Sequence, residues 1–129
     1  MVKTMLNTKE QKYFNSLKDY ILKLFSVHIG VYPLDHKILS EDETILGCCH
    51  KMKDNEGELL GYIITIDENY IKACYHGRQT SYSQYSDNQL IETICHELAH
   101  LKFWEHDSDH KELTNFLYNT VIESLTKNF

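Results

Sequence analysis

Apolar residues recur at helical spacing in three stretches of the chain and at strand spacing in one. Phe14, Leu17, Ile21, Leu24 and Phe25 mark the buried face of an N-terminal helix, widened by Tyr13 and Tyr20. Thr8 with Gln11 has the spacing of a capping box, and Gly30 and Pro33 end the segment. After residue 44 the texture changes. Residues 48–53 and 59–66 flank the turn sequence Asp54, Asn55, Glu56, Gly57, and β-branched residues concentrate at Ile63, Ile64, Thr65 and Ile66, so a hairpin is expected. Residues 70–76 fit either a further strand or a short helical turn, and 77–85 read as a polar loop. Leu90, Ile91, Ile94, Cys95, Leu98 and Leu101 then give a second helix, with Ser86 and Gln89 spaced as its capping box. A last helix is expected from about Asp109, where Asp109 and Glu112 repeat that spacing, with Leu113, Phe116, Leu117, Val121 and Leu125 buried.

The second of these helices carries the chemistry. His96-Glu97-Leu98-Ala99-His100 places two imidazoles four residues apart, ~40° around a helix axis and ~6 Å along it, close enough for one metal ion. Glu97 projects ~100° from His96, where a carboxylate can reach water beside the metal and take its proton. His96 and His100 lie on a different arc from the apolar stripe, which weighs against a pair of ordinary core histidines. His106 ranks first as third ligand, because three protein ligands leave the fourth position of a tetrahedral site for water. On a straight helix it would lie ~9 Å beyond His100, so the chain must turn between the two. No glycine occupies residues 101–105, so ordinary residues or an early helix end must make that turn, with Asp107, Ser108 and Asp109 supplying the next helix start. His110 is either a rival ligand or a group that supports the ligands from behind, and Glu112 and Glu123 are acidic rivals.

Composition narrows the setting. A chain of 129 residues, 42% hydrophobic, with nine Tyr, five Phe and one Trp suits one domain over residues 1–129 with a real core. A net charge of −6 without a basic run disfavours direct nucleic-acid binding. The start of the chain lacks the apolar stretch of a signal peptide and nothing approaches a membrane span, so a cytoplasmic protein without membrane partners is expected. Cys48, Cys49, Cys74 and Cys95 read as reduced thiols, since two are adjacent and none has zinc-ribbon spacing. Cys95 lies on the buried stripe, whereas Cys48 or Cys74 is a conceivable extra metal ligand. The acidic run at 41–43 reads as a solvated loop.

The order of helix, small sheet, metal helix and closing helix, with His96-Glu97-Leu98-Ala99-His100-Leu101 and His106, resembles the SprT-like zinc metallopeptidases and their WLM and YgjP-like relatives. Gly47-Cys48-Cys49 and Ile64-Thr65-Ile66-Asp67 are a weaker echo of the same pattern. The resemblance covers roughly residues 45–116. It implies an α+β, minimal zincin-like domain with an N-terminal helix, a small and mostly antiparallel sheet, a metal-binding helix and a C-terminal helix. It also implies Zn2+ held by His96, His100 and His106, Glu97 as catalytic acid/base, and a protein or peptide substrate. Those families often place Phe four residues after the third His. This chain has His110 there, which keeps that residue open as a third or fourth ligand. Tyr82, Tyr85 or His110 could help stabilise an oxyanion, and an extended substrate could pair with a sheet edge. Two other readings compete. A metal-dependent endoribonuclease of the YbeY-like kind also uses three histidines at this spacing but needs no carboxylate at Glu97, and a non-catalytic zinc-stabilised interaction module would have all four positions filled by protein.

Overall fold

The structure, a computed structural model, describes residues 4–36, 46–77 and 86–127. The acidic run at 41–43 and the loop 78–85, with Tyr82 and Tyr85, lie outside the described residues. The architecture is α+β: α1 (Thr8–Leu24), β1 (Gly30–Leu34), β2 (Gly47–Lys53), β3 (Leu59–Asp67), α2 (Glu68–Gly77), α3 (Asp87–Ala99) and α4 (Ser108–Lys127). No described helix is long and apolar enough to cross a membrane.

The sheet is mixed, in the order β1-β3-β2. β2 and β3 form the expected antiparallel hairpin, with Cys49 opposite Ile64 and Lys51 opposite Tyr62. β1 was not expected, and it pairs parallel to β3, so only one of the two ladders is antiparallel. Gly30 and Pro33 read as breakers in sequence. Pro33 is nevertheless accommodated because β1 is an edge strand, where a missing N–H removes no ladder bond. Lys18 of α1 donates from Nζ to the Val31 carbonyl (3.1 Å) on the same strand. Residues 70–76 resolve as helix. Asp67 accepts from the Tyr70 backbone N–H through Oδ2 (3.1 Å) and so caps α2 directly at the end of β3.

Two of the expected helix caps shift by a residue or two, and the third keeps its position. Asn7, not Thr8, caps α1: its side chain accepts from Glu10 N–H, and Glu10 accepts from Asn7 N–H, both at 2.9 Å. Ser86 sits at the cap position of α3 without a side-chain cap bond. Asp107 caps α4 by accepting from His110 N–H at 3.0 Å, in place of the Asp109 and Glu112 pair. The starts of α1, α3 and α4 were visible, but neighbouring Ser, Thr, Asp and Asn compete for one cap and the backbone path decides among them.

Ile64, Ile66 and Val31 of the sheet join Phe14, Ile21, Ile71, Leu90, Ile91, Ile94 and Val121 of the helices in one buried cluster. Cys74 and Cys95 are buried within it, and all four cysteines are free. Three expected core residues, Leu24, Leu113 and Phe116, lie outside it. Leu24 lies in the last turn of α1 and Phe116 is 65% exposed, because α4 buries His110, Thr114 and Val121 instead. Ile64→Ala should therefore cost about 2–5 kcal/mol in urea unfolding. Phe116→Ala should stay within about 0.5 kcal/mol of the native protein in the same measurement.

Candidate metal centre

Helix α3 carries its apolar residues into the core and its histidines into a cleft of about 560 Å³, which β2 walls on the other side. The helix ends early. His100 N–H bonds back to Glu97 O (3.2 Å), Leu101 N–H to Leu98 O (3.0 Å) and Lys102 N–H to Ala99 O (3.1 Å), so the last turn tightens to three-residue bonds. The chain then reverses without a glycine and re-enters helix at Ser108.

That reversal brings His106 back onto α3. Its Nε2 lies 3.1 Å from His96 Nε2 and 3.0 Å from His100 Nε2. Ligand nitrogens on a tetrahedral zinc at about 2.1 Å stand about 3.4 Å apart, so the spacing is near that of a shared ion. The donor chemistry fits as well. His100 Nδ1–H donates to Phe103 O (3.2 Å), which leaves the Nε2 lone pair facing the other two rings. A single N–H on His106 can aim fully at only one of its two neighbours, whereas one cation between the rings serves all three.

His110 is drawn to the same place. One nitrogen each of His96, His100 and His110 lies within 4.8 Å of the others, a cluster that could bind a metal. The His110 ring stacks on that of His100 with centroids 4.1 Å apart. However, its Nε2–H donates to the His96 backbone carbonyl (2.9 Å), so this nitrogen is engaged with α3. Burial holds the His96 imidazole at about 4, with the neighbouring His110, His100 and His106 adding repulsion, and burial also lowers His100. Both rings are therefore neutral at pH 7 and keep their lone pairs.

Glu97 faces the cleft from the buried side of the cluster. No described residue donates to its carboxylate, and burial pushes its pKa up to about 7. Gly47 at the start of β2 makes room for it. A Cβ there would lie 3.0 Å from Glu97 Oε2 and 3.1 Å from Thr93 Cγ2. Cys48 and Cys49 also line the cleft, but burial, then the nearby Glu97, pushes both thiols up, Cys49 to about 11. They are thus protonated, and Cys74 lies away in the core. Glu112 and Glu123 are exposed on α4, outside the cluster.

Reading the sequence missed two residues of the cleft. Gly47 enters the sequence reading only through the Gly47-Cys48-Cys49 echo, because its closeness to Glu97 depends on how a strand and a helix far apart in sequence pack. Trp104 closes the far end of the cleft, its ring 5.8 Å from that of His100. It is the one tryptophan of the chain, and that rarity at the turn before His106 was the available signal.

Comparison with protein-family models, with curated proteins and with solved structures finds no match to this chain.

Because Gly47 is hemmed in by α3, Gly47→Val should destabilise the fold by about 1–3 kcal/mol in urea unfolding. Gly57→Ala is the control in the same assay. Gly57 has open space around it, so any loss there reports its positive φ of 83° alone.

Proposed function

We propose that this protein is a zinc-dependent metallopeptidase in which His96, His100 and His106 hold the metal and Glu97 is the general base and acid. The observation that carries the reading is the convergence of three imidazole Nε2 atoms, with spacings of 3.0 and 3.1 Å about His106, in a cleft that also holds the Glu97 carboxylate, to which no described residue donates. His106 is preferred to His110 as third ligand because the Nε2 of His110 is spent on the His96 carbonyl. His110 then backs the site, tying α4 to the helix that supplies the other ligands.

When bound, zinc supplies Lewis acidity, polarising a peptide carbonyl and acidifying water toward a pKa of about 7. The residues of the chain do the rest. Glu97 takes the proton of the attacking water and returns it to the leaving nitrogen, a role suited to a carboxyl whose pKa stands near neutrality. The hydrogen bond from His100 Nδ1 to Phe103 O keeps that ring turned toward the metal position. Burial of Glu97 restricts water around the carboxylate, so its proton exchange is directed into the cleft.

Metal analysis combined with casein hydrolysis tests this reading. The native protein should bind one zinc and lose activity to a chelator. Glu97→Gln should keep zinc and fold while losing turnover by about 10²–10⁴-fold. His106→Ala should lose zinc affinity, and full proteolysis by Glu97→Gln would end the acid/base assignment. Structured RNA cleaved by Glu97→Gln with casein intact would transfer the site to the endoribonuclease class. Coordination by four protein groups would make it a closed structural centre.

A further inference from the structure

A row of rings leads from the imidazole cluster through Trp104, which lines the cleft, to Tyr62 beside it. The His100 and Trp104 rings stand 5.8 Å apart, and Trp104 and Tyr62 stand 6.1 Å apart. Each comes from a different element: α3, the turn before α4, and β3. Trp104 is 40% exposed, high for the only tryptophan of a small protein, and its free surface opens into the cleft. Lys51, opposite Tyr62 in the hairpin, holds its Nζ 4.1 Å from the Trp104 ring centroid. The indole is thus fixed by a cation–π contact while a large part of it remains uncovered.

The strand beside this row says what covers it. β2 is the edge of the described sheet, and among the described residues nothing pairs with its outer side, the kind of edge to which an extended chain can add as a further strand. Such a chain directs every second side chain toward the helix side of the sheet, where Lys51 and Tyr62 meet Trp104. Along β2, Gly47 lies beside Glu97 and Lys51 reaches Trp104. The two positions are four strand steps apart, about 13 Å.

We infer that Trp104, Tyr62 and Lys51 form a side-chain subsite that selects a large apolar residue, aromatic above all, in an extended peptide paired with β2. The inference rests on the peptidase reading of the cleft and adds a substrate class to it: peptides with an apolar anchor within about four residues of the bond that is cut. The two rings offer apolar area to a Phe, Leu or Met side chain. The ammonium of Lys51 repels a Lys or Arg at the same position. A single-stranded nucleic acid could also stack on a tryptophan beside a lysine, but the net charge of −6 and the open strand edge favour a peptide.

Binding can be read apart from turnover, since Trp104 is the sole indole fluorophore. Zinc-loaded Glu97→Gln protein is titrated with short blocked Ala/Ser peptides carrying Phe, Gly or Lys at one position, with a single-stranded RNA oligomer in parallel. The Phe peptide should bind about tenfold tighter than the Gly peptide, and the Lys peptide weakest. Adding Tyr62→Ser should erase most of the Phe preference, and adding Lys51→Glu should bring the Lys peptide up to or above the Gly peptide. Equal affinity for Phe and Gly peptides, no peptide binding, an unchanged preference in Tyr62→Ser, or tighter binding of the RNA would each overturn the subsite. If the preference holds but the zinc-loaded native protein cuts none of these peptides, the subsite stands and the peptidase reading falls.

Discussion

The chain has to reverse direction within the five residues that separate His100 from His106, and the whole site hangs on how it does so. A helix carried straight on would take His106 ~9 Å away along its axis. Instead the final turn of α3 tightens, Phe103 N–H closes on Ala99 O (2.9 Å), and Asp107 caps the next helix. The Phe103 carbonyl freed by this turn accepts from His100 Nδ1, so the bond that finishes the reversal also orients one of the converging rings. Local backbone geometry and ring placement are in this way a single device. A loop that merely connected α3 to α4 would leave the imidazoles unaligned.

Helix α3 can support that device because it is held from several sides. Its apolar face enters the common core, Tyr70 donates to or accepts from Thr93 Oγ1 (2.9 Å), and Tyr13 donates to Asp87 at its start (2.7 Å). Against this rigid background Glu97 is an exception, a buried carboxyl to which no described residue donates. Local rule-breaking of this kind, tolerated by a well-packed surrounding, is where function is expected to lie. Gly47 belongs to the same exception, since only a residue without a side chain lets β2 come so close.

The long periodic segments were legible in the sequence, and so was the hairpin. Leu90, Ile91, Ile94 and Leu98 declare α3, and the turn at 54–57 with its β-branched partner strand declares β2 and β3. β1 was not legible, because a strand of five residues containing Gly30 and Pro33 has the composition of a break and is defined only by its partner β3. The sheet therefore looked more antiparallel than it is. Within the site, the spacing of His96, Glu97 and His100 already contained their helical geometry, and the need for a turn before His106 followed from arithmetic. The engagement of His110 by the His96 carbonyl did not follow, since it depends on the crossing of two helices. Phe116 misled for the related reason that helical period alone does not say which arc of α4 meets α3.

The two borders of the sheet are unlike. Along β1, Pro33 offers no amide hydrogen and the ammonium of Lys18 already occupies the Val31 carbonyl, so a foreign strand finds little to zip onto. A sheet with both edge strands open can join with copies of itself into a continuous ribbon. With β1 blunted, β2 is the one border among the described residues at which such joining would find a free ladder, so it would end at two copies rather than extend.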